Sequence, residues 1–240
     1  MRKQTGFTLI EIAIVLVIIG LLLGGVLKGQ ELITSARVRN LAQMQDGFKA
    51  AFFGFQDRFH ALPGDYPGAL ATVNISGVVA GVAGCVVTTG GGNGNGQIDL
   101  AGESMIAWEH MSKAGFITGS YTCNAAMNAP AATNTPTNIY GAYVQIVYDG
   151  IYGVTSLGTA RHNVKTGPQI PVAIIAELDR KIDDGLPYTG SFQFSVWAGG
   201  GGGTAPTEGT AGTTCTSGAL PASTWNATAS VANCGGASTL

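Results

Sequence analysis

The chain has 240 residues, 45% of them hydrophobic and only 11% charged, with a formal net charge of -2. That length permits a sizeable core and one principal domain. No basic cluster exists beyond Arg2-Lys3 and Arg37/Arg39, so nothing neutralises a phosphate backbone and nucleic acid is not an expected partner.

In chain order, the first element is an apolar run over residues 7–27 whose only charge is Glu11. Its length of about 21 residues matches the roughly 20 that a helix needs to cross a bilayer. An ordinary secretory signal does not explain it. The basic residues Arg2 and Lys3 precede the run, but Lys28-Gly29-Gln30-Glu31 follows it, with no small-x-small cleavage site. An acid inside such a run also opposes insertion, by about 2.5–3.5 kcal/mol at the centre of a span and less near its end.

An acid at membrane depth calls for a cation at similar depth. Within this chain the next basic residue, Lys28, lies about 25 Å along the helix, too far to serve. A second copy of the chain can supply one. Cleavage between Gly6 and Phe7 would place a new α-amino group just outside the apolar run, within reach of Glu11 of a neighbour displaced along the helix axis.

Gly6-Phe7-Thr8-Leu9-Ile10-Glu11, after a short basic leader and before an unbroken apolar stretch, resembles the class III signal of type IV pilins and type II secretion pseudopilins. Gly20 also falls where many members carry glycine. The resemblance implies that a prepilin peptidase cleaves after Gly6 and methylates the amine of Phe7, and that Glu11 pairs with a neighbour's N-terminus during assembly. Many major pilins carry a proline late in the apolar segment. Here Lys28 stands near that place and the first proline is Pro63, with Gly24, Gly25 and Gly29 as the loosening residues, each costing roughly 1 kcal/mol relative to alanine.

Beyond the span, Leu41, Met44, Phe48, Phe52, Phe55 and Phe59 recur every three or four residues, the signature of an amphipathic helix. It is expected to end near Ala61, where Pro63-Gly64 stops it, and to dock on the chain's own head rather than in a coiled coil. The expected domains are a leader over 1–6, a long helix over 7–61 with 7–27 in the membrane or filament core, and a head over 62–240.

The stretch GGGNGNGQIDLAGE, residues 90–103, matches no phosphate-binding motif. As a calcium loop it offers Asn93, Asn95 and Asp99 around Gly96, but Gly91 and Gly102 stand where the first and last acids belong, which favours a plain turn. Residues 103–114 read as a helix with Met105, Trp108 and Met111 inward and Gly115 as its stop. Residues 142–148, the pair Asp149-Gly150 and residues 151–157 read as a hairpin on a type I′ turn. A helix follows over 171–182. Residues 191–198 alternate Phe192, Phe194 and Val196 as a half-buried strand does.

No catalytic constellation emerges. His60, His110 and His162 are scattered, Glu103 and Glu109 point to different helix faces, Ser104 is not in a GxSxG, and the mixed-sign run from Glu177 to Asp184 reads as a solvated helix surface and cap. The chain is expected to be no enzyme and to need no cofactor or metal.

The tail from Gly199 is low in complexity and is expected to be loose unless stapled. Cys85, Cys123, Cys215 and Cys234 form no CxxC and no zinc-type pair, which favours disulfides and an oxidising compartment. Three pairings exist. Cys85 with Cys123 and Cys215 with Cys234 close the more local loops, and the second resembles the C-terminal disulfide loop common in type IV pilins. The blocks HALPGDYPGA, AWEHMSKAGFITGSY and IAELDRKIDDGLPYTGSFQF resemble those of a subgroup of large bacterial prepilin-like proteins, over much of residues 60–195.

The expected fold is therefore α+β and pilin-like: a long N-terminal helix packed on a head with an antiparallel sheet. The resemblance implies a structural subunit that forms a helical homo-oligomeric filament, with prepilin peptidase, the inner membrane and a pilus or type II secretion assembly machinery as partners. The precursor sits in the inner membrane and the product in an extracellular pilus, or alternatively in a periplasmic pseudopilus. A rival reading is a non-assembling, membrane-anchored binding or adhesion protein.

Overall fold

The computed structural model describes residues 9–78, 92–99, 101–123, 129–154, 158–200, 202–209, 212–218 and 223–240. Helix α1 runs unbroken over Leu9–Phe59, through Gly24, Gly25 and Gly29. The chain divides into two compact units, Met1–Arg37 and Val38–Leu240.

Within the second unit, the C-terminal half of α1 supplies one wall of the core. Val38, Leu41, Phe52 and Phe55 are buried, and Met44, Phe48 and Phe59 pack beside them, so the aromatic stripe meets the head as its spacing predicts. The helix stops when His60 takes a positive φ of 51°. Two further helices follow, α2 (Gly68–Asn74) and α3 (Ala101–Lys113).

Helix α3 is more deeply interior than its pattern suggests. Besides Met105, Trp108 and Met111, it buries Ile106, Glu109 and His110. Phe48 meets the Trp108 ring edge-on at 4.8 Å, and His110 stacks on Phe55. Its end is a Schellman turn: Gly115, at φ 84°, donates to Ser112, and Phe116 N–H donates to the Met111 carbonyl.

The sheet contains β1 (Gln145–Asp149), β2 (Arg161–Lys165), β3 (Phe192–Phe194) and β6 (Gly236–Thr239), in the order β1-β2-β6-β3 and antiparallel throughout. Helix α4 (Val172–Ile182) precedes β3, and β4 (Thr216–Ser217) pairs with β5 (Thr224–Trp225) in a separate ribbon. The architecture is the expected α+β, pilin-like one. Strand β3 is shorter than the alternation over 191–198 suggests, though Phe192 and Phe194 are both buried.

The hairpin expected at Asp149-Gly150 does not form as read. Strand β1 pairs instead with Arg161–Lys165, in the register Asp149↔Arg161 and Gln145↔Lys165. Gly150 has no positive φ, whereas a type I′ turn needs one. The Asp149 carboxylate is otherwise engaged: it accepts from the Ile151 N–H and from Asn163 Nδ2, and it pairs with the Lys165 ammonium. Lys165 is almost wholly buried, and this partner offsets the cost of burying its charge. Burial holds the Lys165 pKa below the ordinary lysine value, and Asp149 works against that shift.

The tail is stapled by the expected Cys215–Cys234 pairing, and it contributes more to the head than its composition suggests. Its last residues form β6, a central strand between β2 and β3. The disulfide Cys215–Cys234, with Cα atoms 5.7 Å apart, closes a separation of 19 residues. In the loop-closure account such a bridge stabilises by about 3 kcal/mol. Reciprocal backbone hydrogen bonds between Ile170 and Cys234 tie the bridge to the entry of α4. Cys123 is also disulfide-bonded; Cys85 lies outside the described residues.

Candidate functional site

In the first unit, every residue from Leu9 to Lys28 is exposed, with Leu9 at 93% and Leu27 at 66%. The segment is long and apolar enough to cross a membrane, with a mean hydropathy of 2.8 over its best window. A helix that is apolar all round demands lipid or other helices around it, because each Å² kept in water forgoes about 25 cal/mol. Glu11 lies in the first turn of α1, where the partial positive charge of the helix N-terminus favours an acid. Gly6 and Phe7, the expected cleavage and methylation positions, lie outside the described residues.

In the second unit, residues 92–99 wrap around a carboxylate from elsewhere in the chain. Asp65, nearly buried, accepts from the backbone N–H groups of Gly94 at 2.7 Å, Asn95 at 3.1 Å and Gly96 at 2.8 Å. Glu103, in the first turn of α3, accepts from Asn93 and Asp99. Asn93 and Asn95 use their own side-chain oxygens to take the N–H two residues on. These groups therefore act as internal turn-formers, and the loop is organised by a distant acid that local sequence spacing does not reveal. Gly92 fits only because it has no side chain: a Cβ there would lie 2.2 Å from the Asp65 Cα.

Replacing Asp65 with alanine would leave three backbone donors without their acceptor. Hydrogen bonds to a charged group contribute about 1.5–3 kcal/mol. Hydrogen exchange at the Gly94 and Gly96 amides is expected to accelerate by at least about tenfold in this variant, while unchanged exchange would show that Asp65 does not hold the loop.

An open groove of about 780 Å³ adjoins this loop, lined among others by Phe52, Phe59, Tyr66, His162 and Asp65. Three of its polar groups, Asp65, Tyr66 and His162, are committed to structure. His162 Nε2 accepts from the Ile98 N–H, and the Tyr66 hydroxyl accepts from Asn74. Desolvation lowers the His162 pKa, with Asp65 opposing, so burial favours the neutral ring that this acceptor role requires. His110 likewise accepts, through Nδ1, from the Gly64 N–H, and Glu109 accepts from the Cys123 N–H. The groove presents an aromatic wall rather than a nucleophile and base in hydrogen-bond reach.

The mixed-sign run at the end of α4 is a solvated surface and cap as its sequence suggests, with Asp183 at the C-cap, except at one residue. Asp179 is fully buried, and its Oδ2 accepts from the Trp225 indole N–H at 2.6 Å. Desolvation is the main cause that pushes its pKa up to about 7; the Trp225 hydrogen bond and the Gly185 backbone N–H oppose it, and Asp184 and Asp183 add to it. The next residues, Asp183 and Asp184, turn back towards it. Glu177, Arg180, Lys181 and Asp184 are exposed and fit the solvated reading, with Glu177 and Arg180 paired.

A long apolar helix with one acid in its first turn, continuing into an antiparallel α+β head, defines a pilin-like subunit architecture. Residues 1–27 match the family described as the prokaryotic N-terminal methylation motif, and so carry the precursor signal of type IV pilins and pseudopilins. No curated protein and no solved structure matches the chain. The motif is that of structural subunits; it implies processing by prepilin peptidase and assembly by a pilus or secretion machinery, and with the apolar helix it implies a membrane-anchored precursor.

Proposed function

We propose that this protein is the structural subunit of a type IV pilus-like filament. Prepilin peptidase cleaves between Gly6 and Phe7 and methylates the new amine; residues 7–27 hold the subunit in the inner membrane until it assembles through its N-terminal helix. The observation that carries this reading is the exposed apolar stretch from Leu9 to Leu27, interrupted only by Glu11, inside the matched motif. Lateral packing of such helices buries their apolar faces, and Glu11 facing a neighbour's Phe7 amine sets their axial register.

The same signal serves type II secretion pseudopilins. The large head with its Cys215–Cys234 bridge suits prolonged exposure outside the cell and favours the pilus. Intact mass of the native protein, with N-terminal fragmentation, tests the reading. A chain beginning at N-methylated Phe7 is expected; one beginning at Met1 overturns it in favour of a non-assembling anchored protein. Recovery of the subunit from sheared surface filaments is the expected companion result, whereas recovery only from short periplasmic fibres assigns it to a pseudopilus.

A further inference from the structure

We infer that Asp179, Asp183 and Asp184, at the C-terminal end of α4, form a calcium site. Each offers one carboxylate oxygen, and the three atoms lie within 4.8 Å of one another. Oxygens that share a calcium ion at 2.3–2.6 Å can be at most about 5 Å apart, so this spacing fits a common ion.

The independent pointer is the buried member. Asp179 has no exposed surface; Trp225 satisfies its Oδ2, and although the Gly185 backbone N–H lies near the carboxylate, Oδ1 is buried without a partner at full hydrogen-bond geometry among the described residues. An unsatisfied carboxylate oxygen away from water is costly, and two further carboxylates beside it raise that cost. The C-terminal end of a helix adds its own negative potential nearby. A cation relieves all three.

The surrounding charges leave room for one. Lys49, half-buried on α1, is the lysine whose charge interacts with Asp183, and it is shared with Asp46. Arg180 turns to Glu177. The other two acids are held in place by the following loop: Asp183 accepts from the Phe192 N–H at 2.7 Å, and Asp184 accepts from the Leu186 N–H at 2.9 Å and from the Thr189 hydroxyl. Such bonds orient a carboxylate and leave its second lone pairs available to an ion.

An all-oxygen set without histidine or cysteine selects a hard cation, and calcium, which accepts six to eight oxygens in irregular geometry, suits three side chains of unequal exposure better than magnesium does. Water completes the sphere. The bound ion would clamp α4 to β5 through the Asp179–Trp225 contact and to β3 through Asp183 and Phe192, bracing the ribbon that carries the Cys215–Cys234 bridge.

The test uses the full chain in detergent micelles, stripped with a chelator and titrated with CaCl2 by calorimetry while its unfolding midpoint is followed. One calcium per chain is expected, with a dissociation constant of about 10⁻⁴–10⁻³ M and a rise in the midpoint. Asp184→Asn, at the exposed member, should keep the fold and weaken calcium binding by about tenfold or more, while Asp99→Asn, in the 92–99 loop, should leave it unchanged. No heat and no midpoint shift up to about 10 mM CaCl2 would overturn the site. So would a loss of binding in Asp99→Asn with Asp184→Asn unaffected, or an equal response to MgCl2. None of these outcomes depends on whether the chain assembles.

Discussion

Gly236→Ala is expected to lower the unfolding midpoint of the head by about 10 °C, the consequence of roughly 3 kcal/mol lost in a unit of this size. Gly236 opens β6, the strand that joins β2 to β3, and lies directly opposite Phe194. A Cβ at this position would meet the Phe192 ring at 2.2, 2.7 and 2.9 Å. Phe192 is fully buried against the core and cannot swing away at low cost. The backbone of Gly236 itself is ordinary, so the glycine serves close approach and not an unusual turn. Alanine would otherwise gain about 0.5–1 kcal/mol in a strand through reduced chain entropy, which makes the clash the deciding effect.

A double-mutant cycle isolates that clash. Phe192→Leu alone should destabilise by loss of packing, yet in the Gly236→Ala background it should cost less, because the smaller side chain makes room. Thermal unfolding followed by near-ultraviolet circular dichroism reads both. Simple additivity would show that the ring and the strand do not compete for the same space.

The same strand explains what was and was not legible in the sequence. The helices were readable because their apolar spacing is local: the stripe from Leu41 to Phe59 and the Val172–Ile182 segment each declare a face within a few turns. Strands β2 and β6 were not. Arg161–Lys165 reads as a polar surface segment, and its inward lysine is tolerable only because Asp149 reaches it across the ladder. Gly236–Thr239 is small and polar, and it becomes central only through partners on either side. Likewise, Asp65 and Asp179 reveal their roles only once distant segments meet them: the 92–99 loop in one case and Trp225 in the other. The N-terminal signal was legible residue by residue because in a run long and apolar enough to cross a membrane a single acid already demands explanation.

For that acid, Glu11→Ala is expected to abolish filament recovery while leaving the precursor in the membrane. Removing a carboxylate from an apolar segment near its end lowers the insertion cost, so carbonate-resistant membrane protein should stay level or rise. Assembly responds in the opposite direction. In the proposed contact the substitution strands a neighbour's amine in a low-dielectric bundle, and breaking one side of a buried pair costs about 3–5 kcal/mol. At 1.4 kcal/mol per decade, each subunit's association weakens by at least about a hundredfold, more than enough to halt growth of a filament. Glu11→Gln keeps an acceptor oxygen and removes the charge, so its yield measures how much of the contact is ionic and how much is hydrogen bonding. Wild-type yields of sheared filaments from Glu11→Ala would remove the acid from assembly altogether, and the lateral packing of the Leu9 to Leu27 surfaces would then have to set both affinity and register.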